Sequence, residues 1–294
     1  MSMDIQVSSV GVEFSDTVAL DGIDLSLAGD RIHGLLGRNG AGKSTLLSVM
    51  AGFRKPTAGE VFLDGMPVFE NPNAMSQMCL IREVPDTLDA SEKVSETLAL
   101  TRRMRPSWDE TLARDLLDRL DLDTGKKLGS LSRGKRAALG VVIGMATRAP
   151  VTMFDESYLG LDAPSRYVFY GAVLADFMER PRTFVISTHL IEEVASLFEE
   201  VTIIHRGRLL LQESADELTE SGAEVVGPAD IVDRFVADHT ILASRSLGST
   251  KAVTTTAPLD ETWRRSAREG GLEVRPVPLQ DLFIHLTGRG ADDG

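Results

Sequence analysis

The chain has 294 residues, enough for one large domain and a small one, and 43% of them are hydrophobic. Its net charge of −13 argues against nucleic acid as the main partner, because nucleic-acid-binding proteins usually carry a basic surface. One cysteine, Cys79, excludes an internal disulfide. No apolar run approaches the roughly 18 residues that span a bilayer, and the start shows no secretory signal, so a cytoplasmic protein is predicted.

Short strands are predicted over most of residues 3–65. Hydrophobic and polar residues alternate in 5–8 and 23–27, which is typical of strands with one buried face. A Pro-Gly turn at 56–59 precedes a further strand at 60–65. The beginning of the chain is therefore expected to consist mainly of short strands.

A glycine-rich segment interrupts this series of strands and is the most informative part of the sequence. It consists of Gly37, Arg38, Asn39, Gly40, Ala41, Gly42, Lys43, Ser44 and Thr45. The segment fits the pattern G-x-x-x-x-G-K-[ST], follows the apolar run 32–36 and precedes the helix-compatible run 46–50. This strand–loop–helix context is the one in which such a loop holds phosphate groups.

The residue types in this loop explain why phosphate is expected there. Glycines let successive backbone N–H groups point at one anion, and the following helix adds its positive N-terminal end. Lys43 is expected to reach the β- and γ-phosphates, and the Ser44 hydroxyl to bind Mg²⁺. A plain Gly-rich turn before a helix is the alternative. It is disfavoured because the lysine and the hydroxyl directly follow the last glycine, so the sequence predicts a nucleoside triphosphate site.

Helices are predicted between about 86 and 148. The pattern S-x-x-E from Ser107 to Glu110 predicts a helix N-terminus. Its apolar face comprises Leu112, Leu116, Leu117 and Leu120. Ser132 is a good N-cap for the apolar helix that follows, and its helix N-terminus is a second possible anion site. From local chemistry alone, a capped core helix is the favoured reading of Ser132.

Two buried strands, 151–154 and 183–187, end in polar residues. Asp155 is a candidate Mg²⁺ ligand opposite Ser44, and Glu156 is a candidate base for the water that attacks the γ-phosphate. His189 follows the second strand, and it is either a structural histidine or a contact to the γ-phosphate. Parallel strands of an open α/β sheet point their carboxyl ends at the ligand crevice, which would bring Gly37, Asp155 and His189 to one edge. A helix is predicted over 190–199.

The region beyond about residue 222 has a different pattern. Strands are predicted at 223–226, 240–243, 251–256 and 272–277, and helices at 230–237, 260–269 and 279–286. The first six of these elements have the order β-α-β-β-α-β, which is typical of a ferredoxin-like domain. We therefore expect an accessory α+β domain over 222–294.

Taken together, these motifs resemble the ATP-binding cassette (ABC) superfamily over about residues 3–220. The resemblance rests on the order of the phosphate loop, Leu131-Ser132-x-Gly134, Asp155-Glu156, Gly160-Leu161-Asp162 and Thr188-His189. It implies an α/β fold, a P-loop cassette with a RecA-like core, an antiparallel β subdomain and a helical subdomain. The cassette is expected over 1–221. The tail at 279–288 also resembles cassettes of ABC-2-type exporters.

The resemblance assigns further roles to individual residues. Two cassettes stack head to tail, so Ser132 and Gly134 would contact nucleotide bound by the partner's loop. Phe14 matches the aromatic residue that stacks on adenine, with a core phenylalanine as the alternative. Asp162 corresponds to the aspartate that links the two sites, and Glu83 to a Mg²⁺-contacting glutamine of the family.

The sequence departs from the family in three places. Arg133 and Lys135 replace a glycine and a glutamine and are expected to add positive charge beside Ser132. Glu83 would add negative charge near the phosphates, and the segment 158–162 keeps only the last Leu-Asp of the usual pattern. Because Lys43 and the polar residues at 155, 156 and 189 are present, hydrolysis of ATP with Mg²⁺ is still expected.

The resemblance implies an ATPase subunit on the cytoplasmic face of the cell membrane. Its expected partners are a membrane permease and a second cassette, identical or different. A nucleotide-gated switch that acts on ribosomes or DNA is the alternative. It is disfavoured by the acidic composition and by the single cassette without a heptad insertion. Residues 222–294 are expected either to regulate or dimerise the chain, or only to stabilise the cassette.

Overall fold

A computed structural model describes residues 3–82, 90–256 and 261–288. The chain divides into two compact units. The first unit comprises residues 1–189 and 204–209, and the second unit comprises 190–203 and 210–294. The cassette boundary near residue 221 stays a prediction.

The first unit begins with an antiparallel sheet. Its strands are β1 (Ile5–Phe14), β2 (Thr17–Leu27), β4 (Ala58–Leu63) and β5 (Met66–Pro67), in the order β2-β1-β4-β5. Ile5 and Val7 of β1 are buried, and after a shift in register the alternation continues with Val10 and Val12. This alternation is the pattern of a sheet with one face in the core, and it confirms the strands predicted for the beginning of the chain.

A parallel sheet forms the centre of the first unit. Its strands are β3 (Ile32–Leu36), β6 (Met78–Arg82), β7 (Val151–Asp155) and β8 (Thr183–Thr188), adjacent in the order β3-β8-β7-β6. Every residue of β3, β7 and β8 is buried, as expected for strands covered on both faces. The register aligns Leu36 with Thr188 and Asp155 with Ser187, so these strands end at one edge.

The described residues of the first unit form six α-helices. They are α1 (Lys43–Met50), α2 (Pro72–Ser76), α3 (Val94–Met104), α4 (Glu110–Arg119), α5 (Arg133–Ala146) and α6 (Ala163–Glu179). Ser132 caps α5 as predicted, accepting a hydrogen bond from the Lys135 N–H. The prediction of Ser107 as a helix cap was wrong. Asp109 caps α4 instead, because its carboxylate accepts the Leu112 N–H at 2.9 Å.

Residues 190–214 belong partly to each unit. The helix predicted for 190–199 is shorter than expected: α7 (Ile191–Val194) is followed by a 3₁₀ turn at Ala195–Leu197. Strands β9 (Glu200–His205) and β10 (Arg208–Ser214) come next. Residues 204–209, where the chain turns from β9 to β10, belong to the first unit.

The second unit contains a separate antiparallel sheet. From residue 215 onward the elements of this unit are α8 (Ala215–Glu220), β11 (Ala223–Pro228), α9 (Ala229–Phe235), β12 (Ile241–Leu247), β13 (Thr250–Thr255), α10 (Glu261–Glu269), β14 (Glu273–Pro276) and α11 (Leu279–Gly288). The strands lie in the order β12-β13-β11-β14, and every neighbouring pair is antiparallel. The predicted succession β-α-β-β-α-β is present from β11 to β14, and Val225, Val232 and Val253 are part of its core.

Within the described ranges, no helix has the length and apolar character that crossing a membrane requires.

Candidate nucleotide-binding site

The phosphate loop connects β3 to α1, as the sequence predicts. Gly42 lies directly before Lys43, the first residue of α1, with a φ of 107°. A Cβ atom at Gly42 would lie 2.7 Å from the Ala19 carbonyl oxygen. Only glycine satisfies both the positive φ and this close approach, so the loop conformation depends on Gly42.

Lys43 is buried inside this loop. Its Nζ atom donates hydrogen bonds to the carbonyl oxygens of Gly37, at 2.8 Å, and Arg38, at 3.3 Å. The same ammonium lies 3.0 Å from Glu156 Oε1. A lysine that is 5% exposed and held by the loop backbone presents its charge at a fixed place, which suits recognition of a phosphate.

Ser44 and Asp155 meet at the end of β7. The Ser44 hydroxyl donates to Asp155 Oδ1 at 3.0 Å, and the Ser187 hydroxyl donates to the same oxygen at 2.9 Å. Hydroxyl and carboxylate oxygens are ligands that Mg²⁺ prefers, and it often uses only one or two carboxylates beside phosphates. Ser44 and Asp155 therefore fit a Mg²⁺ ion. The described ranges contain no group of three or more His, Cys, Asp or Glu side chains that could hold a metal ion by themselves.

Glu156 lies beside this pair, in a left-handed conformation with a φ of 50°. Its N–H donates to Ser187 Oγ at 3.1 Å, and its Oε1 atom lies 3.3 Å from His189 Nδ1. Burial raises the pKa of Glu156, but the hydrogen bond and charge of Lys43, together with His189, outweigh it and hold the pKa below its usual value. Glu156 is therefore ionised at neutral pH.

Two contacts behind the loop were not foreseen from the sequence. Ser187 joins Asp155 to the backbone of Glu156, and the only sequence signal for it is a hydroxyl near the end of a buried strand. Ser48 donates to the Ser44 carbonyl at 2.5 Å and accepts from Arg82 Nη2 at 2.7 Å. These bonds fix the positions of the side chains that face the phosphate loop.

Phe14 lies at the end of β1, where the resemblance places the residue that stacks on adenine. Its side chain is 40% exposed, so it is not a core phenylalanine. The guanidinium of Arg54 lies 4.3 Å from the centre of the ring. An exposed aromatic ring beside a cation can stack on a base.

Ser132 and Gly134 lie in a second cluster. With Gly160, Leu161 and Asp162 they line a cavity of about 190 Å³, and the phosphate loop is not part of its lining. Asp162 caps α6, accepting from the Ser165 N–H at 3.0 Å. Glu83, the remaining predicted metal ligand, lies outside the described residues.

Comparison with known proteins places this geometry in a family. A sequence model described as "ABC transporter" matches residues 20–158. The Nod factor export ATP-binding protein I of Burkholderia lata is 30% identical over 304 residues, covering 98% of each chain. The chain belongs to the ABC transporter family. It is therefore a cassette ATPase, as the resemblance implied.

Two further relatives of the cassette were found. Daunorubicin resistance ATP-binding protein DrrA3 of Streptomyces coeruleorubidus is 29% identical, covering 97% of this chain and 96% of the relative. The structure of a dimeric ATP-binding cassette in a post-hydrolysis state, bound to ADP and Pi, superposes with a TM-score of 0.62. It is 20% identical and covers 72% of this chain and 98% of that one, which supports the cassette fold.

Proposed function

We propose that this cassette dimerises on ATP and hydrolyses it with Mg²⁺ to drive a separate membrane permease that exports its substrate. One observation carries the proposal: a glutamate that contacts both a lysine and a histidine is joined through Ser187 to a serine–aspartate pair at one sheet edge. The three groups correspond to the three needs of phosphoryl transfer, which are phosphate binding, metal binding and activation of water.

Lys43 binds and orients the phosphates. Its contacts to the loop carbonyls restrain the ammonium, so less side-chain entropy is lost when a phosphate binds. Ser44 and Asp155 would hold Mg²⁺, which when bound neutralises charge on the phosphate oxygens. Ser187 keeps the Asp155 carboxylate oriented.

Glu156 accepts the proton of the attacking water. The water oxygen forms the new bond to the γ-phosphorus while the bond to the ADP oxygen breaks, giving ADP and phosphate. Glu156 is 29% exposed, so water reaches it, and its lowered pKa keeps it unprotonated at neutral pH. His189, 3.3 Å away, orients the carboxylate and lies where it can contact the γ-phosphate.

A second copy of the cassette completes the site. Ser132 and Gly134 lie at the N-terminal end of α5, where backbone N–H groups favour an anion. Because they line a cavity separate from the phosphate loop, they would serve nucleotide held by another chain. The solved cassette dimer bound to ADP and Pi supports this assembly.

Export is supported by the names of two relatives, a Nod factor export protein and a daunorubicin resistance protein. The transport path would belong to a separate membrane permease, which this chain would bind at the cytoplasmic face. The pairing of two identical or two different cassettes is left to experiment.

Purified chain with its membrane partner tests the proposal. Tagged protein is recovered from detergent-solubilised membranes, the bound polytopic protein is identified, and both are reconstituted into liposomes. We expect ATP turnover that requires Mg²⁺ and increases with the partner. K43A, which removes the phosphate-binding ammonium, is the control for nucleotide dependence. Turnover that is absent with every membrane protein recovered would contradict the proposal.

A further inference from the structure

Lys135 directly follows the Ser132–Gly134 turn, which consists of the cap and the first two residues of α5, and its side chain reaches the end of α4. The Nζ atom donates to the Leu120 carbonyl at 2.9 Å and also to the Asp121 carbonyl. It lies 3.0 Å from Asp121 Oδ2. Part of the positive charge that the sequence predicted beside Ser132 therefore lies at residues 120 and 121.

These contacts lie at the end of α4. Leu120 is its C-cap residue, and Asp121 follows in a left-handed conformation with a φ of 47°. Carbonyl groups at a helix C-terminus lack intrahelical partners and carry partial negative charge, so a lysine there is favourable. The hydrogen bond from Lys135 holds the pKa of Asp121 below its usual value, although that carboxylate is fully exposed.

The turn is restrained from the opposite side as well. A Cβ atom at Gly134 would lie 3.1 Å from the Gly160 carbonyl oxygen, so this turn packs closely against the loop that precedes Asp162. Ser132 is fixed by its cap hydrogen bond to the Lys135 N–H, at 3.3 Å. Lys135 thus holds the turn through its backbone and the end of α4 through its side chain.

We propose that Lys135 is a positioning residue that sets the Ser132–Gly134 turn for nucleotide bound by the second copy. The inference rests on the proposed function, because the turn acts only across the dimer. The exposed ion pair with Asp121 contributes little by itself, so the bonds to the α4 carbonyls carry most of the effect. Loss of Lys135 should therefore harm dimerisation more than loss of Asp121.

The test uses full-length chain carrying E156Q, in which bound ATP is retained. Two quantities are measured: affinity of the monomer for a fluorescent ATP analogue, and the dimer dissociation constant with ATP and Mg²⁺ by sedimentation. K135A should weaken dimerisation about tenfold, as expected for a displaced contact group, and change analogue affinity less than twofold. D121A should have a smaller effect, and K135R should restore most of the dimerisation.

K126A is the matched control, because Lys126 is an exposed lysine close to Asp121, and removing it should change neither quantity. Dimerisation of K135A equal to that of the E156Q parent would overturn the inference. So would an equal loss of monomer affinity, which would indicate a general structural defect. If the parent itself does not dimerise with ATP, the proposed function fails, and that result is distinct from either outcome for Lys135.

Discussion

The parallel strands β7 and β8 carry charged clusters at both ends, and the two clusters differ in how their charges are used. At the carboxyl ends, Glu156 is partly exposed and shares its carboxylate between Lys43 and His189. Beyond the amino ends, Asp176 is buried and pairs with Arg182, at 2.7 Å, and with Arg148. Both clusters therefore place a carboxylate between two nitrogen-bearing side chains.

The partners of the two carboxylates show what each cluster does. Arg182 also donates to the carbonyls of Ala149 and Met145 and to Thr152 Oγ1, so each nitrogen of this buried guanidinium donates at least one hydrogen bond. Burial, with Arg148 nearby, lowers its pKa to about 9, and it stays charged at neutral pH. Buried charges bonded to one another and to the backbone suit a structural cluster, whereas an accessible carboxylate with two changeable partners suits catalysis.

The largest effect should come from E156Q. It removes the proton acceptor and keeps the size of the side chain, so ATP turnover should fall about a thousandfold. The free energy of unfolding should fall by only about 1 kcal/mol, because Glu156 is partly exposed and Lys43 keeps its two carbonyl acceptors. Steady-state phosphate release and urea unfolding measure the two. E179Q, at an exposed glutamate of α6, is the control, and unchanged turnover in E156Q would refute Glu156 as the base.

At the opposite end, D176N should act on stability and not on chemistry. It leaves the buried Arg182 guanidinium without a counter-charge, while Arg148 keeps Asp109, and this should cost about 3 kcal/mol of unfolding free energy. Turnover per folded molecule should match that of wild type at a temperature where both are folded. E179Q again serves as the control. A catalytic defect in folded D176N would show that the two ends are not separate in function.

His33, near the beginning of β3, makes the unfolding free energy of the chain sensitive to pH. Burial lowers its pKa from 6.5 to about 4, and its Nε2 atom lies 2.8 Å from the Ala28 carbonyl oxygen. Between these two pKa values His33 binds a proton in the unfolded chain but not in the folded one. The stability that the folded state gains from a neutral His33 is therefore present above pH 6.5 and is lost as the pH falls. About 2 kcal/mol should disappear by pH 5. Urea unfolding at pH 7 and pH 5 measures how much unfolding free energy each protein loses between the two pH values. H33Q should lose less than wild type by that amount, and equal losses in the two proteins would contradict this role of His33.

The smallest effect concerns Phe14 at the nucleotide edge. F14A should raise the KM for ATP about tenfold, since stacking of a base on an aromatic ring contributes roughly 1–3 kcal/mol. F14W should restore the affinity, and kcat should change little. Steady-state kinetics with the three proteins decides the matter. A KM that is the same in F14A and wild type would mean that the ring does not hold the base.

The cluster at the carboxyl ends of β7 and β8 could be predicted from the sequence because its residues occur in short motifs. The loop pattern around Lys43 and the carboxylates after a buried strand each carry local chemistry. The parallel register then places Asp155 and His189 near each other without further information. The cap at Ser132 was also predicted correctly, whereas the pattern beginning at Ser107 was displaced by the carboxylate of Asp109 two residues later.

The cluster beyond the amino ends of β7 and β8 could not be predicted, because its residues come from separate elements. Arg148, Asp176 and Arg182 are brought together only by the packed fold. The one local signal is a charged residue, Asp176, within an otherwise apolar stretch of α6. The direction of Lys135 was missed for a similar reason, since its partners at 120 and 121 belong to the end of another helix.

The central claim is that a second copy completes the nucleotide site, and sedimentation of E156Q with and without the substitution S132R tests it most directly. We expect E156Q to be a monomer alone and a dimer with ATP and Mg²⁺. With S132R added, the chain should bind a fluorescent ATP analogue with unchanged affinity and yet remain a monomer. A dimer that forms equally well with S132R, or a mass that ATP does not change, would contradict the account.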